Sequence, residues 1–385
     1  MSSNEQSFEK WIKPAYILST GLYIAFYIYF LNWITSDMMD YMSWTEQIVN
    51  HGLVAIKAYP FDYTPASMLI FILSSLLPFT SYLNIKLIAL PFIPISALLI
   101  SDLIFKFNHD KAAACLGYAL TCLLPTILVN TALWGQTDIY YGLALLLAIY
   151  FFILKRPYAA VIAWGIALCF KAPPLFLGPF LLFLFVRKQI PWKALWIPPA
   201  LFLFFASIFI SLGTPTASAL GIFFTQEASF HSLCMNCATL WSFLPAADYN
   251  LGVLVGFGLA FLGAMIYLYI MLKKIDLADP AQIVLAALLS MILMPFLLPK
   301  MHDRYFFFAE LLSVSLIFLD WRFLLSFVLL QISTGIGSWH YLMHDSSTLS
   351  MSLSAGLNLV VLLLLFWVVF RPAKSITLPS SGNQA

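Results

Sequence analysis

Apolar runs recur along this chain with short polar breaks between them, at roughly 14–35, 82–105, 112–133, 137–154, 158–170, 173–186, 194–212, 251–272, 281–298, 305–319, 323–341 and 349–370. Most approach 20 residues, and at about 1.5 Å of rise per residue such a helix crosses a hydrocarbon core of ~30 Å. Only helices satisfy their own backbone hydrogen bonds within one segment in lipid, so the pattern predicts transmembrane helices. The segments 158–170 and 173–186 are shorter and rise only ~20 Å. They read as a hairpin entering from the cytoplasmic side, with Lys171-Ala172-Pro173-Pro174 at its tip inside the membrane and the Pro pair in the first turn of the returning helix.

A different pattern follows the first segment, over residues 36–64. Asp40, Ser43, Gln47 and Asn50 recur at helical spacing opposite Tyr41, Trp44, Ile48 and Val49, and Gly52 stops the run. This predicts an amphipathic helix lying at the membrane interface. A second short helix is expected to begin at Asp62-Tyr63-Thr64-Pro65. The fold class is therefore all-α: a polytopic transmembrane helical bundle of about a dozen segments, with interfacial helices in the first outer loop and no separate soluble domain. Residues 1–372 read as one domain that includes a long outer loop at 213–250, and 373–385 as a polar C-terminal tail.

Composition agrees, at 62% hydrophobic and 9% charged residues with a mean hydropathy of +0.93, and excludes a soluble globular protein. The run from Pro14 to Ile34 is too long for a signal-peptide core and lacks a small-residue cleavage site, so it reads as a retained first span. Lys10, Lys13, Lys106, Lys111, Lys155, Arg156, Arg187, Lys188, Lys193, Lys273, Lys274, Arg322, Arg371 and Lys374 fall on one side of the predicted spans, 14 of the 19 Lys and Arg. The positive-inside rule makes that side, and with it both termini, cytoplasmic. Lys57, Lys86, Lys171, Lys300 and Arg304 lie on the outer side or within spans. The net charge of +2 is spread over many loops and forms no nucleic-acid patch.

Two polar clusters then fall on the outer side, Trp134-Gly135-Gln136-Thr137-Asp138 and Leu298-Pro299-Lys300-Met301-His302-Asp303-Arg304-Tyr305. Ionisable groups set between spans are costly and mark substrate or ion pathways more often than they serve packing. Each also has a plainer reading. Asp37 would cap the interfacial helix, Asp138 would cap the segment that follows it, and Arg304 would snorkel to lipid headgroups. His51, His231, His340 and His344 lack ligand spacing and read as exposed surface groups. Whether a metal binds is open: a carboxylate pair such as Asp37 and Asp40 would seat a divalent ion, and no other cofactor is indicated. Cys234 and Cys237 suit a local disulfide in an oxidising compartment, while Cys115, Cys122 and Cys169 fall in spans as apolar packing.

The series Ser36-Asp37, Trp44, Gly52, Tyr63-Thr64-Pro65, Trp134 to Asp138, Phe170-Lys171-Ala172-Pro173 and Lys300 to Tyr305 resembles the GT-C superfamily of membrane glycosyltransferases. Within it, the chain looks like the bacterial relatives of the GPI mannosyltransferases. The most specific elements are the Trp-Gly-Gln-x-Asp and Lys-Met-His-x-Arg-Tyr runs, with Asp303 where relatives often carry Glu. The resemblance implies an inverting transfer of a sugar, mannose or another hexose or pentose, from a polyprenyl-phosphate carrier to an acceptor hydroxyl. It places that reaction on the periplasmic or lumenal face, and favours a bacterial inner membrane over the endoplasmic reticulum. The implied partners are the lipid-linked donor, a lipid-, glycan- or protein-linked acceptor and membrane lipid, with no nucleic acid.

The resemblance also implies Asp37 as the base, and the chemistry agrees, because a hydroxyl is a weak nucleophile whose proton a carboxylate must take as the bond forms. A phosphate leaving group needs cations, and Lys300, His302, Arg304 and Lys171 are the candidates, aided by a helix that Pro299 would open. Asp138 or Asp40 would pair with Lys171 or bind sugar hydroxyls. Trp134, Gln136 and Tyr63 would bind or support sugar and acceptor, since an amide bonds hydroxyls in both senses and an indole face covers a pyranose. Two other functions suit the same composition. One is a secondary transporter of an anionic substrate, whose broken helices aim their N-termini at the anion; the other is a lipid-linked oligosaccharide ligase or polymerase. The clustering of charge at one face and the lack of an inverted repeat weigh against the transporter.

Overall fold

The computed structural model describes residues 3–58, 63–228, 231–344 and 350–371. The expected tail at 373–385 and Asp62 lie outside the described residues. The architecture is almost wholly helical. Among the described residues seven helices are long and apolar enough to cross a membrane: Ser81–Asn108, Lys111–Leu133, Trp192–Ser211, Tyr249–Lys274, Pro280–Leu297, Trp321–Met343 and Met351–Phe370. The chain is thus a multi-pass integral membrane protein. Shorter apolar helices over Pro65–Ser75, Asp138–Ile153, Pro157–Phe170, Pro173–Val186 and Phe307–Leu316 stand among them, and a helix over Ser3–Phe30 leads the chain.

Proline breaks two of the long segments. One helix ends at Ala89 and the next starts at Phe92, with Pro91 between them. The other stops at Cys122, and Leu124 takes an extended conformation before Pro125, as a residue preceding proline prefers. The chain then winds through one π-helical turn, Val129–Leu133, directly ahead of Trp134. Such turns concentrate at functional sites. A helix over Thr216–Ala228 also stands within the long 213–250 stretch, where hydropathy announced none.

Burial separates centre from rim. The Pro280–Leu297 window is 72% buried, against 22% for Tyr249–Lys274, which leaves Leu254 and Phe261 exposed. Around that central helix the short helices place their ends at one level. Asp138 starts one, Phe170 ends the next, Pro173 starts the third and Phe307 the fourth. At about 1.5 Å per residue the first two rise only ~21–24 Å, too little for a ~30 Å core. At these ends the charged side chains meet.

Candidate functional site

The helix Ser36–His51 carries Asp37 in its first turn but does not use it as a cap. Thr35 is the N-cap, its hydroxyl oxygen accepting from the Met38 N–H at 3.3 Å. The plainer reading of Asp37 as a helix cap does not hold on that geometry. Its carboxylate is instead a meeting point for four donors. Oδ2 accepts from Trp134 Nε1 at 3.0 Å, from Gln136 Nε2 and from Arg304 Nη1 at 3.2 Å, and Oδ1 accepts from the Tyr341 hydroxyl at 2.8 Å.

The Trp134–Asp138 run lies beneath this carboxylate. Gly135 has φ +78°, and a Cβ there would stand 1.9 Å from the Met38 methyl carbon, so only glycine joins the two donors in this conformation. Trp134 is fully buried, and its ring stacks on Tyr341 with centroids 4.5 Å apart. It therefore shows no indole face to a sugar, which leaves the supporting place of the two expected from sequence. Gln136, 1% exposed, spends its amide nitrogen on Asp37 and its oxygen on the Tyr41 hydroxyl at 3.1 Å. It too stands behind the surface.

Asp138 is likewise buried, and it is the partner of Lys171, at 2.5 Å. Asn130 Nδ2 donates to the second oxygen of Asp138 at 3.0 Å, and Arg304 Nε stands 3.9 Å from it. Asp138 thus receives side chains from three other segments, where a cap would receive its own helix's N–H groups. Lys171 reaches it because the chain breaks in an extended conformation after Phe170. The Phe170 carbonyl accepts from Thr64 at 2.9 Å and from Ser67, which fixes the first loop's second helix against the break. Tyr63, beside Thr64, places its ring 5.9 Å from the Lys171 ammonium and its hydroxyl 2.6 Å from that of Tyr41.

Residues 298–306 are a loop. Phe307 opens the next helix, so Pro299 does not, and the expectation of a helix N-terminus at Pro299 aimed at phosphate is corrected. The loop is held from outside instead. Met301–His302 pairs in parallel with Cys234–Met235, Lys300 N–H donates to Leu233 O at 2.8 Å, and Asp303 N–H donates to Met235 O at 3.1 Å. A Cys234–Cys237 disulfide closes the turn beside that pairing. Lys300, at φ +62°, lays its ammonium 5.3 Å from the centre of the Tyr249 ring. Burial first, then the charges of Arg304 and Lys171, push His302 down to about 3. His302 is thus a neutral imidazole near pH 7, not the cation expected from sequence.

Burial pushes the neighbouring Asp303 up to about 7. The folded protein then holds this proton more tightly than the unfolded chain, so the stabilisation is complete below pH ~4 and is lost as pH rises through about 7. Thermal unfolding in detergent should show that decline across pH 4–7, worth a few kcal/mol at most at about 1.4 kcal/mol per pH unit. Asp303→Asn should reduce that decline by the share that Asp303 contributes. An identical decline in the variant would assign it to another group.

These elements enclose a cavity of about 380 Å³, lined by Asp37, Asp40, Lys171, Lys300, His302 and Arg304, with Tyr63 among the aromatic walls. Trp134, Gln136 and Asp138 do not line it; they hold Asp37, Lys171 and Arg304 in place. Arg304 is 15% exposed by its side chain and spans Asp37 and Asp138, which rules out simple snorkelling. Leu175, Phe223 and Phe257 give the cavity an apolar side. Of the histidines, His340 is buried at 6% while His51, His231 and His344 are exposed. Among the described residues no group of three His, Cys, Asp or Glu side chains is placed to hold a metal ion.

Sequence reasoning missed Tyr341 and Asn130. Tyr341 stands 304 residues from Asp37 on a helix that reads as an ordinary span, and no local signal marks it. Asn130 lies at i−8 from Asp138, where the intervening π-helical turn sets the contact.

No protein-family model matches the chain, and no curated protein matches it. Among solved structures it is similar to "Crystal Structure of ArnT from Cupriavidus metallidurans in the apo state", at 12% sequence identity and a TM-score of 0.35, over 92% of this chain and 76% of that one.

Proposed function

We propose that the chain is an inverting glycosyltransferase that takes a sugar from a polyprenyl-phosphate carrier and joins it to an acceptor hydroxyl at the outer face of the membrane. The observation that carries this reading is Asp37: a carboxylate opening onto a cavity that also holds Lys300, Lys171 and Arg304 and has an apolar side. Each carboxylate oxygen has two lone pairs. Oδ2 is crowded by three donors, whereas Oδ1 accepts from Tyr341 and keeps capacity for an acceptor hydroxyl. Asp37 takes that proton through Oδ1 as the acceptor oxygen attacks the anomeric carbon from the side opposite the phosphate. The carbon–oxygen bond to phosphate breaks with inversion, and polyprenyl phosphate leaves.

Arg304 and Lys300 meet the charge that grows on the leaving phosphate. Neutral His302 contributes hydrogen bonding there. Lys171 faces the cavity while tied to Asp138, which limits it to a shared contact. The distribution of Lys and Arg supports an outer placement of this cavity with both termini cytoplasmic. Incubating purified protein with a panel of polyprenyl-phosphate sugars and an acceptor extract should release polyprenyl phosphate from at least one donor, with the anomeric configuration of the product inverted by NMR. A substrate recovered covalently unchanged but moved across vesicles would establish a carrier in its place.

A further inference from the structure

Lys86 carries a positive charge into the interior, and among the described residues no carboxylate receives it. It is 1% exposed, so its ammonium does not reach solvent or lipid headgroups. Three backbone carbonyls hold it instead: Phe30 at 2.9 Å, Trp33 at 2.7 Å and Leu133 at 3.4 Å. An ammonium has three donors, so it is fully satisfied. The choice of carbonyls is informative. Phe30 ends the first helix, Trp33 lies in the turn that leads to Thr35 and Asp37, and Leu133 ends the π-helical turn directly before Trp134.

One side chain therefore ties together the two segments that supply the carboxylate and two of its donors. The surroundings reinforce the tie. The Lys86 stem lies 3.5 Å from where a Cβ on Gly135 would stand, and the Tyr27 hydroxyl holds the Lys86 carbonyl at 2.6 Å. Thr35 Oγ1 donates to Trp134 O at 3.0 Å beside it. A residue there only to fill volume would be apolar, since a buried charge costs desolvation that packing alone does not repay.

We propose that Lys86 is a positioning residue of this site, setting Asp37 in register with Trp134 and Gln136 through the carbonyls of Phe30, Trp33 and Leu133 without touching substrate. This rests on the glycosyl-transfer reading with Asp37 as base. The test uses the full-length protein in detergent and the donor that the wild type consumes, with turnover and donor Kd measured separately. Lys86→Met should lower kcat roughly 100-fold, the scale of a 1 Å misplacement of a reacting group. Donor Kd should change by less than about threefold, because the Lys86 ammonium donates to Phe30, Trp33 and Leu133 and not to the 298–306 loop that holds the phosphate cations.

Lys86→Gln, with two donors for three carbonyls, should keep more turnover than Lys86→Met. Combined with Trp134→Phe, it should cost less than the product of the two single losses, because both act on the same carboxylate. Wild-type kcat in Lys86→Met, donor affinity lost in step with kcat, or fully multiplicative losses in the double variant would overturn the proposal. So would failure of both single variants to accumulate as folded protein, which would assign Lys86 to folding. An Asp37→Asn protein with full turnover, or a wild type that releases carrier from no donor, overturns the reading of the site itself, and this inference with it.

Discussion

Asp37→Asn is expected to lower transfer by roughly 10²–10⁴-fold, the usual worth of a positioned base, while expression and thermal stability stay close to wild type. The geometry explains why the two effects separate. Asn keeps one carbonyl oxygen, which can turn toward Trp134, Gln136 and Arg304, and its amide can face the Tyr341 hydroxyl, which also accepts. The helix start is untouched, because Thr35 and not Asp37 caps it. Asp40→Asn is the control: Asp40 lines the same cavity from an exposed position one turn on, and its loss should leave most turnover in place. Carrier release measured for both variants decides the matter. Full activity in Asp37→Asn with loss in Asp40→Asn would exchange their roles.

Arg304→Ala is expected to weaken donor binding and lower turnover together, the latter by about 10²–10³-fold or ~3–4 kcal/mol, the scale for removing one preorganised donor. It should also destabilise the protein, because it removes the guanidinium that stands between Asp37 and Asp138, at 3.2 and 3.9 Å. Removing one partner of a buried pair leaves the other charge uncompensated. Arg304→Lys should rescue only part of both losses. A point charge can face one carboxylate at a time, whereas the planar guanidinium spans two and still presents a donor to phosphate. Donor Kd, turnover and unfolding temperature for the pair of variants form the test. Full turnover in Arg304→Ala would remove the 298–306 loop from the proposed site. Full rescue by Lys would show that charge alone suffices.

Several features were legible in the sequence because they follow from local chemistry. The cost of an unpaired backbone group in lipid makes every apolar run of sufficient length a helix. That physics yields the membrane class directly, and the side-chain period of residues 36–51 yields the first-loop helix. The cost of burying charge marked Asp138, Lys171 and Arg304 as groups needing partners, and the structure pairs them with one another and with Asp37.

Tertiary structure alone decided what each marked residue faces. Trp134 and Asp37 are 97 residues apart, and Tyr341 and Asp37 304 apart, and no local pattern encodes contacts at such separations. Residue type left Trp134 open as a sugar-binding or a supporting group, and its ring is closed off by Tyr341 from a helix read as plain span. His302 looked like a third cation because its type and spacing say nothing of burial, and burial together with Arg304 and Lys171 leaves it neutral. Lys86 gave no sign of its role, since its partners are backbone carbonyls common to every residue type. The reason is the same in each case: composition and period report the free energy of single groups moved into lipid or protein, whereas partner choice depends on which helix ends the packing brings to one level.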